Sequence, residues 1–416
     1  MIVKSVRDLD IKIGLLVYAR PEVYVGKYFR HYKSQNSFHV YEVSLDARIA
    51  DPKILKHVNV TCRSGEAVEF VLCKEGLSTI DAVSYAEKAL KLKLTYAGLK
   101  DAEARTCQFV RALCIDEREL DSQYILLRNK NRIELYTVGK TGEPLARGSL
   151  LGNFFIILLN FVGSTREYDE ALRALGNVAE ILPKLSLPNF FGYQRFGTRR
   201  PTTHLIGKAI AECRFEEAVQ YIVGYPLETE SDKVIAARKA FEEGELSKSL
   251  KLFPRKFWIE RFIIRKLMKG CSPREAVLSL DHKILKLYIE AYQAYLFNIM
   301  LSIGLLECGS IDILSRECKV LPLPGPNALS ISSKGSKSGY CRDLIMRVLE
   351  MNYVSSCRIR EVRRLFSKRV RPTYFKVFRL DYIVEKDNVW LRFELSSGSY
   401  ATVLLRELLR ENLILP

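Results

Sequence analysis

The chain has 416 residues, of which 48% are hydrophobic and 27% charged, a balance typical of a soluble globular protein large enough for two domains. Lysine and arginine outnumber aspartate and glutamate by 65 to 48, so the formal net charge is +17 and favours a polyanionic partner such as nucleic acid. An anionic membrane surface is the alternative, but it requires an amphipathic or lipidated anchor, and the sequence shows no clear one.

Strand patterns dominate the first 165 residues. Alternating or short apolar runs predict strands at residues 38–43, 67–72, 106–115, 133–138 and 152–162. A helix capped by Ser78 or Thr79 is predicted over residues 80–92. This order favours an α+β fold with mostly antiparallel pairing over a doubly wound fold. No glycine-rich phosphate loop follows a strand, which argues against a nucleotide cofactor.

Helical periodicity dominates the middle of the chain, and strands return near its end. Helices are predicted at residues 169–182, 209–223, 232–243, 255–269, 273–280 and 285–305. They are followed by a loop rich in Pro, Gly, Ser and Lys (321–339), a basic segment (358–371), two strands (374–383 and 389–395) and a last helix (403–410). Because strands flank the helices, the sequence predicts one sheet domain built from residues 1–165 and 373–416, interrupted by a helical insertion at residues 166–372.

The cysteines and the apolar runs of the sequence indicate the cellular compartment in which the protein is expected. The ten cysteines form no Cys-x-x-Cys motif, and the five histidines do not lie at zinc spacing from them. This pattern predicts free thiols in a reducing compartment. Residues 1–13 do not resemble a signal peptide, and the longest apolar run, residues 150–162, is too short to span a membrane. The sequence therefore predicts a cytoplasmic protein.

The turn Gly98-x-Lys100-Asp101 is the first candidate site. Gly98 permits a bend that a larger residue would resist, and a predicted strand follows from Thr106. A carboxylate on a turn between two ordered elements is well placed to reach into a cleft. A solvated turn with an ion-paired aspartate is the ordinary alternative. Lys74, just before the predicted helix, could bind phosphate or simply be solvated.

Residues 189–204 form the second candidate site. Within residues 189–197, three Phe, one Tyr, Arg, Gln, Asn and two Gly break both the helical and the strand period. Such a loop offers stacking faces and a forked donor to a flexible ligand, and residues 198–204 add charge for phosphate contact. The alternative is a packed aromatic turn. The tyrosines at positions 288, 292 and 295 share one helix face, a pattern more typical of a core than of a ligand site.

In this order, these stretches resemble the TruD family of tRNA pseudouridine synthases over most of the chain. The matching motifs are Phe38-x-Val40-x-Glu42, Lys74 with Thr79, Gly98-x-Lys100-Asp101 with Thr106 and Gln108, Gly152-Asn153-x-Phe155, Asn189-x-Phe191-Gly192-x-Gln194-Arg195-Phe196-Gly197, Gly197-x-x-Arg200-Pro201-x-Thr203-His204-x-x-Gly207-Lys208, Ala291-Tyr292-Gln293-x-Tyr295-Leu296-Phe297-Asn298, and Gly398-x-Tyr400-Ala401-Thr402-x-x-x-Arg406-Glu407. The motif that begins at Gly197 is similar to the archaeal and eukaryotic branch. Ser37 departs from the family, which usually has Asp there.

The resemblance implies a pseudouridine synthase fold, with a mixed, mostly antiparallel sheet, and a largely helical TRUD insertion domain. It implies that the protein isomerises a specific uridine of tRNA, U13 in the D-arm and, for archaeal members, also U35 of a tRNA anticodon. Asp101 would be the nucleophile, acting covalently or by taking a proton from the sugar. The reaction requires no redox cofactor, metal or ATP, and a tRNA-binding monomer is expected.

The resemblance also assigns roles around a flipped-out uridine. Phe155 would stack on the base. The candidates to hold the nucleotide and its backbone are Asn153, Gln194 and Arg195. The candidate cations that keep Asp101 ionised are Lys100, Lys74 and Arg406. The candidate substrate-binding set also contains Gln108, Asn189 and Phe191.

The strand period separates Phe155 from its neighbour Phe154. Asn153 and Phe155 share one face, and an asparagine is poorly placed in a dry core, so this face is predicted to line a cleft with Asp101 and Arg195. Phe154 is then predicted to be the core residue. Packing of Phe155 within the sheet is the alternative.

Two other functions fit parts of the sequence. An RNA-binding or chaperone protein could retain the fold without turnover, but the presence of Asp101, Lys100 and Phe155 favours the enzyme. An RNA methyltransferase is disfavoured because no glycine-rich cofactor loop is found.

Overall fold

The computed structural model describes residues 2–128, 131–326, 328–332, 339–352 and 357–415. The described strands are β1 (Val3–Lys4), β2 (Val17–Tyr18), β3 (Phe29–Tyr32), β4 (Phe38–Val43), β5 (Val60–Cys62), β6 (Ala67–Lys74), β7 (Leu94–Tyr96), β8 (Arg105–Leu113), β9 (Arg118–Leu120), β10 (Gln123–Arg128), β11 (Asn131–Thr141), β12 (Gly152–Phe161), β13 (Leu187–Pro188), β14 (Val320–Pro322), β15 (Val370–Pro372), β16 (Tyr374–Phe375), β17 (Val377–Glu385), β18 (Asn388–Ser396) and β19 (Leu413–Ile414).

The described α-helices are α1 (Asp8–Lys12), α2 (Thr79–Leu90), α3 (Tyr168–Ile181), α4 (Thr203–Ala211), α5 (Phe215–Val223), α6 (Asp232–Glu242), α7 (Leu246–Leu252), α8 (Trp258–Met268), α9 (Pro273–Leu278), α10 (His282–Cys308), α11 (Ile311–Glu317), α12 (Ala328–Ser332), α13 (Gly339–Met351), α14 (Arg360–Arg364) and α15 (Ala401–Leu409). The loop predicted at residues 321–339 lies partly outside the described residues, and its described part contains β14 and α12.

The chain folds into two compact units, each made of two segments. The sheet unit contains residues 22–185 and 375–416, and the helical unit contains residues 1–21 and 186–374. These bounds differ from the predicted ones at both ends of the first segment. The chain near Ile13 is held to α10 because Asn298 Nδ2 donates to the Ile13 carbonyl over 3.0 Å. Helix α3 is held to the sheet because the Tyr168 hydroxyl donates to the Lys386 carbonyl over 2.6 Å. The assignment of one unit as catalytic and the other as an insertion stays a prediction.

The sheet unit contains an eleven-stranded mixed sheet with the order β10-β11-β6-β8-β4-β12-β18-β17; β3, β7 and β19 pair beside this path. Among its described pairs, β4–β8 and β3–β19 are parallel and the others are antiparallel. The predicted α+β class and mostly antiparallel sheet are confirmed.

Helix α2 packs on one face of this sheet through small side chains. Ala82, Val83 and Ala86 are buried against Phe70 and Leu72 of β6. The helix begins after Ser78, whose Oγ accepts a hydrogen bond from the Asp81 N–H over 3.1 Å. Of the two predicted caps, Ser78 is therefore the cap, and Thr79 is left available for contacts with the chain beyond the helix.

The helical unit is built around α10, a helix of 27 residues. Its Tyr288 and Tyr292 are buried, which confirms the interpretation of the tyrosine stripe as core for these two residues, whereas Tyr295 is only partly buried. By length and composition alone α10 could cross a membrane, so the prediction that no apolar run reaches this length is wrong. Because 72% of its apolar window is buried within the protein, α10 also fits the core helix of a soluble protein.

The structure corrects the prediction of ten free thiols. It contains four disulfide bonds, Cys62–Cys114, Cys73–Cys107, Cys213–Cys357 and Cys318–Cys341, and leaves Cys271 and Cys308 free. The bonded cysteines lie 23 to 144 residues apart in the chain, so no short spacing motif signalled them. Cysteine usage therefore does not indicate a reducing compartment for this protein.

Candidate active site

Side chains from five neighbouring strands, β6, β8, β4, β12 and β18, share the face of the sheet that carries α2. Residues directly opposite each other on paired strands point to the same side. Asn153 is opposite Glu42, and Phe155 is opposite both Val40 and Phe393. On the same face, Lys74 of β6 is opposite Thr106 of β8. The register thus brings several of the predicted site residues to one side of the sheet.

The turn Gly98–Asp101, between β7 and β8, is held by two buried polar side chains. The Lys100 N–H donates to Thr79 Oγ1 over 2.8 Å, and Gln108 Nε2 donates to the Gly98 carbonyl over 3.1 Å. Thr79 Oγ1 in turn donates to Gln108 Oε1 over 3.1 Å. Gln108 is fully buried, so in this structure it positions the turn.

The predicted reason for glycine at position 98 is not seen. Gly98 does not adopt a positive φ, and a Cβ added there would meet no atom within 4 Å among the described residues. The bend therefore does not depend on glycine, and the space beside it is open.

Asp101 presents an ionised carboxylate that is partly exposed. Its side chain is 27% exposed, and Lys33 Nζ donates to Oδ2 while the Glu103 N–H donates to Oδ1 over 3.0 Å. Burial by itself would raise the pKa of Asp101, but the charge and hydrogen bond of Lys33, the Glu103 N–H and the charge of Lys74 together lower it below its ordinary value. A charged carboxylate with residual solvent access can act as a nucleophile or base.

Lys74 is neither solvated nor open to a phosphate. It is 1% exposed, and its Nζ donates to the carbonyl oxygens of Leu77 and Asp101, both over 2.7 Å. Burial, with a smaller effect from the charge of Lys100, lowers the pKa of Lys74 to about 8 against the opposing effect of Asp101. Lys74 therefore ties the strand β6 to the backbone of the candidate catalytic residue.

The side chain of Lys100 points away from the carboxylate of Asp101. Lys100 Nζ lies 2.8 Å from Glu42 Oε2 and donates to Asn153 Oδ1 over 2.8 Å. Burial raises the pKa of Glu42, and the charge of Lys100 opposes this shift. Asn153, which is only partly buried, thus has a protein partner, and these three side chains anchor the Lys100 end of the turn to β4 and β12.

Lys33 is the partner of Asp101 that the sequence did not reveal. The main charges that lower the pKa of Asp101 are Lys33 and Lys74, rather than Lys100 or Arg406. Arg406 is fully buried in α15, with its Nη1 3.6 Å from Glu407 Oε1. Lys33 follows β3 and lies 68 residues before Asp101, so no local pattern links the two. Its side chain is only 2% exposed, which makes the ion pair an internal feature of the site.

Phe155 is buried, contrary to the prediction that Phe154 is the more buried of the two. Phe155 is 6% exposed and stacks on Phe393, with ring centroids 5.2 Å apart, while its edge meets Phe38 at 6.0 Å. Phe154 is only partly buried, although it packs against a cluster on the opposite face as expected. A base could stack on Phe155 only if this ring became accessible, so that role stays a prediction.

The second candidate stretch has the form of a packed aromatic turn around an arginine that the sequence analysis did not single out. Arg371 Nε and Nη2 donate to Asn189 O and Oδ1 over 2.8 and 2.6 Å, and the guanidinium lies 4.1 Å from the ring centre of Phe191. Arg195 Nη2 pairs with Glu290 over 2.8 Å, and Gln194 is exposed. These residues belong to the helical unit, and a shared cleft with Asp101 stays a prediction.

The chain is similar to known proteins both in sequence and in fold. A family model described as "tRNA pseudouridine synthase D (TruD)" matches residues 13–317. Proteins named "Probable tRNA pseudouridine synthase D" include one from Sulfurisphaera tokodaii, 31% identical over 353 residues that cover 83% of this chain and 86% of that protein. Another, from Pyrobaculum aerophilum, is 30% identical over 423 residues and 97% of each chain. A crystal structure bearing the TruD name, from Methanosarcina mazei, matches 97% of this chain and 98% of its own with a TM-score of 0.68 at 23% identity, which supports the fold.

Proposed function

The chain belongs to the TruD family of tRNA pseudouridine synthases, and we propose that Asp101 is the residue through which it isomerises uridine. The single observation that carries this assignment is the Lys33–Asp101 ion pair on a turn fixed by Thr79 and Gln108. The pair keeps the carboxylate ionised, and the fixed turn keeps it in one place. Both conditions favour attack on a nucleotide that is brought to the site.

The chemistry requires one carboxylate and a flipped nucleotide. The N1–C1′ bond breaks, the base turns, and C5 forms the new bond to C1′; a proton leaves C5 and a proton is gained at N1. No electrons are gained or lost overall, so we propose a reaction without a redox cofactor, metal or ATP. Asp101 acts either by forming a covalent bond or by taking a proton from the sugar.

For the target we propose U13 in the D-arm of tRNA, with U35 of a tRNA anticodon as a second target. A uridine within a folded RNA must leave the stack before the carboxylate can reach its sugar and base. Phe155, Asn153, Gln194 and Arg195 stay candidates to contact this nucleotide, and the first two would have to give up the contacts described above. A cytoplasmic monomer remains our expectation.

Asp101→Asn tests the proposal with the smallest change of shape. We expect the variant to bind tRNA as well as the wild type, or slightly more tightly because a negative charge is removed, and to form no pseudouridine. Release of tritium from [5-³H]uridine tRNA measures turnover, and nucleotide-resolution mapping shows which uridine is changed.

The matched control is Asp387→Asn, which removes the same charge from an exposed position in the sheet unit and should leave turnover unchanged. Turnover by the Asp101→Asn variant at the wild-type rate, with contaminating enzyme excluded, would overturn the assignment of Asp101. Product at neither U13 nor U35 in the wild type would overturn the assigned targets.

A further inference from the structure

Five basic side chains surround one concave surface of the helical unit. The concavity has a volume of about 370 Å³ and is lined by Arg358, Arg360, Arg363, Arg364 and Lys368. We call this surface the basic concavity. All five of these residues are exposed, and the part of the chain that the structure describes places neither a carboxylate nor an apolar side chain in the lining. The basic concavity is therefore a site of one charge sign.

No described residue neutralises the cations of the basic concavity. The structure gives none of the five side chains an ion pair or hydrogen bond within its described residues. Arg363 and Arg364 follow Arg360 at positions i+3 and i+4 of α14, and like charges at these spacings repel each other. An anion bound between these side chains would remove the repulsion.

The backbone that carries these cations is anchored along its length. Val362 lies between Arg360 and Arg363 in the chain and is 0% exposed, and Leu365 directly follows Arg364 and is 2% exposed. The disulfide Cys213–Cys357 fixes the chain just before Arg358, and Arg371 binds Asn189 just after the segment. A fixed array of cations loses less conformational entropy on binding than a disordered basic tail does.

We propose that the basic concavity is a second RNA-contact surface, which binds backbone phosphates of the tRNA and leaves the target uridine to the site around Asp101. Guanidinium groups match phosphate oxygens with paired donors, and four of the five cations are arginines. Among the described residues, no aromatic, Asn or Gln side chain lines the surface, and the cations that do line it suit phosphates rather than base edges. A membrane surface would require apolar side chains beside the cations, and none of the described residues that line the concavity is apolar.

The proposal rests on the proposed function only for the identity of the RNA. A second concavity, in the sheet unit, also contains three lysines, but Leu92, Leu113, Ile115 and Glu87 line it as well. Because apolar and acidic side chains lie among its lysines, this second concavity lacks the uniform positive charge that favours binding of a phosphate backbone. The basic concavity is therefore the better candidate for phosphate contact.

The double variant Arg363→Gln/Arg364→Gln tests the proposal, because both side chains are exposed and their removal should leave the fold intact. We expect weaker tRNA binding and a slope of log K against log salt that is less steep by about 0.7–0.9 for each phosphate that the variant no longer binds. The single-turnover rate at saturating tRNA and the position of the product should not change. Thermal melts check the fold.

The control is Lys233→Gln/Lys239→Gln, which removes two exposed charges from α6 in the same unit. It should leave both the affinity and the salt slope close to those of the wild type. An unchanged slope in the Arg363/Arg364 variant, or an equal change in the control, would overturn the proposal. A variant that binds normally but turns over slowly would also overturn it, because the concavity would then serve catalysis.

The two proposals fail separately. If the wild type makes no pseudouridine but the Arg363/Arg364 variant shows a weaker salt dependence of RNA binding, the phosphate-binding surface is supported and the enzyme assignment is wrong. If the wild type modifies tRNA but the salt slope of the Arg363/Arg364 variant equals that of the wild type, the enzyme assignment is supported and the phosphate-binding surface is wrong.

Discussion

Replacing Lys74 with methionine removes a buried ammonium group that contacts the candidate catalytic turn. Burial lowers the pKa of Lys74 from 10.5 to about 8, so keeping it protonated in the native state costs about 3 kcal/mol. Against this stand two charge-assisted hydrogen bonds, to the carbonyls of Leu77 and Asp101, worth about 1.5–3 kcal/mol each. At pH 7 the two effects largely offset, and we expect Lys74→Met to destabilise the protein by about 0–3 kcal/mol.

The pH dependence of the free energy of unfolding separates Lys74 from other groups. Since the native pKa of Lys74 is depressed, the native protein releases this proton near pH 8, whereas the unfolded chain keeps it until about 10.5. Between these values the unfolded chain binds more protons, so this group makes the wild type more stable as the pH rises. From pH 7 to pH 10 the gain is about 2–3 kcal/mol, and Lys74→Met lacks it.

Denaturant unfolding at pH 7 and pH 10, followed by circular dichroism, measures this difference, because other titrating groups cancel between wild type and variant. Lys88→Met, at an exposed position of α2, serves as the control and should follow the wild type. The reasoning is refuted if Lys74→Met and the wild type differ by the same free energy at both pH values. Turnover should fall in Lys74→Met at either pH, because the Asp101 backbone loses an anchor.

Three further perturbations test the site and the fold. Lys33→Met should raise the pKa of Asp101 and move the acidic limb of the pH–rate profile to higher pH. Lys33→Arg keeps the positive charge and should bring the limb part of the way back towards its wild-type position. If the limb does not move in Lys33→Met, Lys33 does not control the charge of Asp101. Phe155→Ala should cost about 3–4 kcal/mol in unfolding free energy and Phe154→Ala less, since Phe155 is the more buried; a stable but inactive Phe155→Ala would instead support base stacking. Reducing the disulfides should lower the free energy of unfolding by about 3–5 kcal/mol from the loss of the Cys213–Cys357 bond alone, because this bond closes a loop of 144 residues. Identical thermal melts with and without reductant would show that this bond is not formed.

Local patterns in the sequence were enough to predict the class of the fold and to locate the candidate turn. Strand alternation and helical period reflect which side of an element is buried, and this depends on neighbours a few residues away. The helix α2, its cap near Ser78 and the strand after Thr106 were therefore predicted close to their observed bounds. The motif around Asp101 could be recognised for the same reason, because its residues lie close together in the chain.

The tertiary structure decided which distant groups meet. Lys33 reaches Asp101 across 68 residues, and Cys213 reaches Cys357 across 144, because strand order and helix packing bring them together. The same register buried Phe155 against Phe393 of β18, although the strand pattern alone allowed an open face. Periodicity in a sequence gives the face of a side chain but not what covers that face, since the cover comes from a segment whose position is set by the whole fold.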